Sequence, residues 1–301
     1  MDSNCCAHFV HCSEVYAGMK AVVVENLKYR YPSTERLALS GVSFEVEQGE
    51  FIGIIGKNLA GKSTLCEALV GLVPHFYKGA YGGRVVVDGV EVLSSSVSEL
   101  ARHIGIVFQN PFTQITAAKL TVYEEVAFGL ENLGFQREEM VKRIDYVLKL
   151  LGLYAYKDRN PFELSGGQMQ RLAIASIIAM KPSIIVLDEP TSQLDPLGSE
   201  EVFKAVQSLS KEGITIIMVE QKMEKIAQYA DKIILLHEGH LVDFGVPEEV
   251  FSRPDLESYG VEPPVFTSIA KKLGIKDNNT GLYPVTLEQM RRLMIGEPHR
   301  S

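Results

Sequence analysis

The chain has 301 residues, 46% of them hydrophobic and 23% charged, with a formal net charge of −8. That length suits one large domain or a main domain with a small appendage, and the composition supports a sizeable buried core. The acidic balance argues against a general nucleic-acid binder, which carries a basic excess, and no apolar run approaches the roughly 18–20 residues of a membrane-spanning helix.

Three of the four cysteines, Cys5, Cys6 and Cys12, fall in the first twelve residues beside His8 and His11. Their spacing matches no regular zinc pattern. Residues 1–18 are therefore expected to be a disordered extension, or the product of a start codon placed ahead of Met19. The segment also lacks the basic start and long apolar stretch of a secretory signal. Cys66 lies within a predicted helix and reads as a small core residue. Nothing implies a disulfide framework, which points to a reducing compartment.

From Lys20 the pattern is regular. Ala21 to Tyr31 and Leu37 to Val46 predict strands with alternating faces, separated by a Pro-Ser-Thr turn. Phe51 to Ile55 is a short apolar run, as in a strand buried on both sides. A glycine-bearing loop follows it, then a helix from about Lys62. Arg84 to Asp88 and Ile104 to Phe108 are further predicted strands. Between Thr121 and Phe162 the pattern turns helical, with Met140, Val141, Ile144, Val147, Leu148 and Leu151 at helical spacing; a helical lobe over about 110–165 is expected. A helix from Gly166, a strand Ser183 to Leu187, a helix from Ser199 and a strand Ile214 to Val219 come next. Strands Lys232 to Leu236 and His240 to Val246 close the core. Strands alternating with helices imply an α/β fold with a mainly parallel sheet and helices on its faces. After about Asp255, Pro264 to Leu273 and Thr286 to Leu293 read as two short amphipathic helices around the polar turn Asp277 to Gly281. The expected division is a main domain over 19–255 and a small appendage over 256–301.

Gly56-Lys57-Asn58-Leu59-Ala60-Gly61-Lys62-Ser63 has the spacing of a phosphate-binding Walker A loop, between a buried strand and a helix that continues through Thr64. Backbone N–H groups of such a loop converge, and the helix N-terminus adds positive partial charge, so a polyphosphate is held there. Lys62 is the candidate to reach the β- and γ-phosphates of ATP, and Ser63 to ligate Mg2+. Ile184 to Leu187 is an apolar strand ending in Asp188 and Glu189. Asp188 is the candidate for the magnesium shell and Glu189 for polarising the attacking water. Ser165-Gly166-Gly167-Gln168, about twenty residues before that strand, opens a helix and forms a second anion-receiving end.

In this order the three motifs resemble the ABC ATPase family, over about Ala21 to Val250. The resemblance implies a P-loop NTPase core with an antiparallel β subdomain and an inserted helical lobe. It also implies a head-to-tail dimer with ATP gripped between the Walker A loop of one subunit and the signature of the other, here Ser165 to Gln168. Gln109 matches the glutamine that contacts magnesium and water and signals to the membrane partner. Tyr31 matches the aromatic that stacks on adenine, although it also reads as a strand-end aromatic packed in the core. Ser192 to Asp195 matches the loop that touches the opposite site. The polar and small residues after Gln109 (Asn110, Thr113, Gln114, Thr116) are expected to present a surface to a transmembrane partner.

Two positions depart from the family pattern. Leu59 stands where another glycine is usual, which stiffens the loop. Gln221, after the strand Ile214 to Val219, stands where a switch histidine would contact the γ-phosphate, so this chain's own site is expected to be slow and its partner a paralogous ATPase that keeps the histidine. Val107 to Pro111, Val126 to Asn132 and Pro284 to Met290 are similar to the ATPase subunits of energy-coupling factor importers of vitamins and metal ions. That similarity implies a peripheral protein on the cytoplasmic face of the cell membrane, with a second ATPase and a transmembrane subunit as partners and no nucleic acid. A non-transport ABC ATPase would need a long coiled coil or two cassettes. A passive nucleotide-binding module would be favoured by loss of Glu189, which is present.

Overall fold

Long alternation and short apolar runs sort the strands into two sheets. The computed structural model describes residues 20–295; Cys5, Cys6, Cys12, His8, His11 and the rest of the 1–18 extension lie outside the described residues. The chain opens with β1 (Lys20–Arg30), β2 (Leu39–Glu47) and β3 (Phe51–Ile55), followed by helices α1 (Lys62–Leu69) and α2 (Leu72–His75). Then come β4 (Ala80–Val87), β5 (Val90–Glu91), α3 (Val97–Leu100) and β6 (Ile104–Val107). Helices α4 (Val122–Asn132), α5 (Arg137–Leu150) and α6 (Gly166–Met180) precede β7 (Ile184–Asp188), α7 (Pro196–Lys211), β8 (Thr215–Val219) and α8 (Met223–Tyr229). The chain ends with β9 (Lys232–His237), β10 (His240–Gly245), α9 (Pro247–Ser252), α10 (Val265–Leu273) and α11 (Leu287–Ile295).

β1 and β2 alternate buried and exposed residues and pair antiparallel in a sheet ordered β2-β1-β4-β5. The second sheet runs β10-β9-β3-β8-β7-β6; only the β9–β10 pair is antiparallel. Every residue of β3 and β8 is buried, as a central parallel strand covered on both faces requires. Because side chains alternate along a strand, the sheet feeds two cores. Phe51, Ile185, Leu187, Ile216 and Met218 pack towards α4, α5, α6 and α7, whereas Ile52, Ile54, Val186, Ile217 and Val219 pack towards α1 and the antiparallel sheet. Cys66 is fully buried in this second core. Leu256, Val261 and Val285 share a third cluster with Ile233 and Leu235 of β9.

The register fixes where chemistry can occur. Ile54 pairs with Val219, and Val219 with Asp188, so the C-terminal ends of β3, β8 and β7 lie side by side. Loops leaving those ends open at one edge, the usual place for a ligand in a parallel sheet.

Several element ends differ from the sequence expectation, and three elements show a local cause. β4 begins at Ala80, because the glycine pair Gly82-Gly83 accommodates a register shift opposite Asn26; Gly83 has φ +88° and a Cβ there would lie 2.3 Å from the Asn26 carbonyl. α7 begins at Pro196 rather than Ser199, since Asp195 Oδ1 accepts from Gly198 N at 2.6 Å and proline is favoured in the first turn. α11 is offset because Thr286 acts from outside it, its Oγ1 accepting from Gln289 N at 3.3 Å.

Candidate nucleotide site

The loop between β3 and α1 folds tightly over the sheet edge. Gly56 has φ +146°, and a Cβ there would sit 2.2 Å from the Leu236 carbonyl oxygen; Gly61 has φ +103° and caps α1. Glycine alone fits both positions. The first turn of α1 holds no acidic residue, so its N–H groups and dipole stay available to an anion. Lys62 is buried, and its Nζ donates to the carbonyls of Gly56 at 2.8 Å and Lys57 at 3.1 Å. Burial pulls its pKa down, against the opposing pull of Glu189 and Asp188. Lys57 and Asn58 are exposed, Ala60 is buried, and Leu59 projects into solvent at 99% exposure with φ +66°.

At the neighbouring strand ends, burial raises the Asp188 pKa, while hydrogen bonding from Ser63 and the charge of Lys62 work the other way. Glu189 has φ +48°, and its N–H donates to the Val219 carbonyl at 3.0 Å. Its carboxylate is held from both sides: Gln221 Nε2 donates to Oε1 and Gln109 Nε2 to Oε2, each at 2.8 Å. Residues far apart in sequence (Lys62, Ser63, Gln109, Asp188, Glu189 and Gln221) thus converge. Ser63 and Asp188 offer hard oxygen donors beside the phosphate loop, and a carboxylate whose charge is disfavoured by burial fits a divalent cation such as Mg2+. A groove of about 660 Å³ runs alongside, lined by Gly56, Lys57, Asn58, Glu220 and Gln221 and, opposite, by residues 260–272.

Tyr31 lies beside α1. Its hydroxyl donates to Glu67 Oε2 at 2.8 Å and meets Thr64 Oγ1 at 3.1 Å, and its ring stands edge-on to Tyr29 with centroids 4.8 Å apart. The ring is thus fixed to the phosphate-loop helix, and burial raises the pKa of both Tyr31 and Glu67. The signature lies elsewhere. Ser165 and Gln168 form a capping box on α6, with Ser165 Oγ accepting from Gln168 N at 3.3 Å and Gln168 Oε1 from Ser165 N at 3.0 Å. Gly166 and Gly167 approach the Gln193 and Leu194 side chains, and among the described residues no hydrogen bond joins 165–168 to the loop 56–64.

The segment after Gln109 is less open than its polarity implies. Gln114 turns inward, Oε1 accepting from Phe108 N at 3.2 Å and Nε2 donating to the carbonyls of Ile106 and Ala173. Thr116 is tied through N–H and hydroxyl to Glu125, itself 3% exposed. Asn110, Thr113 and Thr116 remain exposed, and the apolar Phe112 and Leu120 join them at 54% and 75% exposure. Sequence reasoning also passed over Glu67 and Glu220, whose side-chain partners Tyr31 and Thr191 come from distant parts of the chain; no local spacing signals them.

A parallel sheet with a phosphate loop after β3, paired carboxylates after β7 and a capped signature helix defines a P-loop NTPase of the ABC ATPase type. The ABC transporter family profile matches residues 39–192. The chain is 48% identical over 262 residues to an ABC transporter ATP-binding protein of Pyrococcus abyssi, covering 85% of this chain and 93% of the relative. It is 42% identical over 263 residues to the energy-coupling factor transporter ATP-binding protein EcfA1 of Clostridium perfringens, covering 85% and 91%. The solved structure of cbiO1 from Clostridium perfringens, part of the ABC transporter complex cbiONQ, superposes with a TM-score of 0.70 at 34% identity over 85% of this chain and 96% of that one. The chain belongs to the ABC transporter family and is an ABC-type, ATP-binding ATPase subunit.

Proposed function

We propose that this chain powers import of a small solute, a vitamin or a metal ion, as a peripheral subunit on the cytoplasmic face of a membrane transporter of the energy-coupling factor kind. In this reading residues 56–64 cradle the ATP phosphates, Lys62 meets the β- and γ-phosphates and the Tyr31 ring faces the base. Ser63, Asp188 and Gln109 would hold Mg2+, which neutralises charge on the transferring phosphoryl group. Glu189 polarises the attacking water and Gln221 orients Glu189. Ser165 to Gln168 complete the site of a second ATPase subunit.

The observation that carries the membrane role is the pairing of one residue with its neighbours: Gln109 is bonded to Glu189, while Phe112 and Leu120 close by are exposed. A transmembrane helix seated on those apolar side chains would bear on the carboxylate through Gln109. The 42% identity to an energy-coupling factor ATPase supports the same reading. Gln221, neutral where the family pattern has histidine, supports a heterodimer in which this chain's own site is the slower one. Disulfide cross-linking from Phe112→Cys in membranes tests the role. Capture of a transmembrane subunit supports it, whereas cross-links to soluble proteins alone count against it.

A further inference from the structure

Glu220 is 3% exposed, and among the described residues it forms no ion pair within salt-bridge distance. A carboxylate kept under such cover is costly unless its oxygens are satisfied. They are: Oε2 accepts from Thr191 Oγ1 at 2.7 Å, and Oε1 accepts from the backbone N–H of Gln221 at 2.9 Å and of Lys222 at 3.4 Å. Lys222 closes the arrangement, its Nζ donating to the Thr191 carbonyl at 3.3 Å and to Ser199 Oγ at 2.9 Å. Parallel pairing of β7 with β8 makes this possible, because Asp188 stands opposite Val219 and the next residues out are Glu189 and Glu220.

We infer that Glu220 is a positioning residue for hydrolysis: it fixes the turn from which Gln221 reaches Glu189, and through Thr191 it ties that turn to the loop approaching the signature glycines. The inference rests on the reading that Gln221 orients Glu189. A side chain aimed by its backbone keeps its direction only while the backbone is held, and the Gln221 N–H has the Glu220 carboxylate as its acceptor. Thr191 lies two residues beyond Glu189 and four before Asp195, the cap of α7, and Gln193 and Leu194 between them approach Gly166 and Gly167. Displacement of that loop by a second subunit would therefore be felt at Gln221, and through it at Glu189, without a direct contact from the partner. Neither Glu220 nor Thr191 touches the reacting atoms in this account.

The test is a double-mutant cycle on ATP hydrolysis by the full chain. Glu220→Ala should lower kcat by about tenfold while KM for ATP changes by less than about twofold. Glu220→Gln should restore most of the rate, since its amide oxygen can accept from Gln221 N and its NH2 can donate to the Thr191 hydroxyl. Gln221→Ala should itself slow turnover, and adding Glu220→Ala to it should slow turnover no further. If Glu220→Ala does not fold, Thr191→Val carries the cycle, slowing the wild-type background by about threefold and the Gln221→Ala background not at all. Equal losses in both backgrounds, a loss confined to KM, or no recovery in Glu220→Gln would overturn the inference. An unchanged kcat in Gln221→Ala alone would overturn the reading of Gln221 beneath it, and the single variant distinguishes that failure from the others.

Discussion

The amide of Gln221 lies 2.8 Å from Glu189 Oε1, matching the bond that Gln109 makes to Oε2. The carboxylate proposed to polarise water is thus steadied by two neutral donors that bring no charge of their own. Histidine at 221 could donate the same bond and also carry a proton and its charge. Gln221→His should therefore raise the steady-state ATPase rate of the purified chain by about threefold to tenfold. A brisk wild-type rate that is unchanged or lowered by the substitution would contradict a slow site.

Leu59 holds φ +66° with its side chain 99% exposed, so within the chain it gains no packing for the left-handed backbone it adopts. Such a conformation costs a branched residue on the order of 1–2 kcal/mol, partly offset in glycine by the greater freedom of its unfolded state. Leu59→Gly should raise the stability of the chain by about 0.5–1 kcal/mol, read as a higher urea midpoint at an unchanged slope. A lower midpoint would show that the leucine conformation is not strained.

Burial raises the Asp188 pKa, so the folded chain holds that proton to higher pH than the unfolded chain does. Rising pH through the raised pKa then withdraws stability, because the folded state has more protons to lose. Asparagine has no such proton. Asp188→Asn should stabilise the nucleotide-free chain by about 1 kcal/mol at neutral pH, and the gain should shrink as pH falls through the raised pKa towards the ordinary carboxylate range. Thermal unfolding of both proteins across that range measures it; a gain that grows on acidification would contradict the assignment.

The fold was legible where local chemistry dictates it. The all-buried runs Phe51 to Ile55 and Thr215 to Val219 announce central strands, and the glycines flanking Lys62 announce a loop that only they can form. That Lys62, Ser63, Asp188, Glu189, Gln109 and Gln221 would converge was legible because each lies at or near the end of a strand. What escaped depends on partners supplied by the tertiary fold. Gln114 looks like a surface residue until the carbonyls of Ile106 and Ala173 are brought to it. Glu67 and Glu220 read as ordinary helix and turn acids until Tyr31 and Thr191 reach them. The start of α7 was misread because Asp195, taken for its part in a dimer contact, also caps the helix.

Turnover by Glu189→Gln tests the central claim most directly, that Glu189 activates the water for hydrolysis by a site that binds ATP independently of it. Glutamine keeps the side-chain shape but removes the charge that draws the water proton. The account predicts retained ATP affinity, hydrolysis slowed by about a hundredfold or more, and an ATP-bound dimer on size-exclusion chromatography. Hydrolysis at the wild-type rate by Glu189→Gln would contradict it.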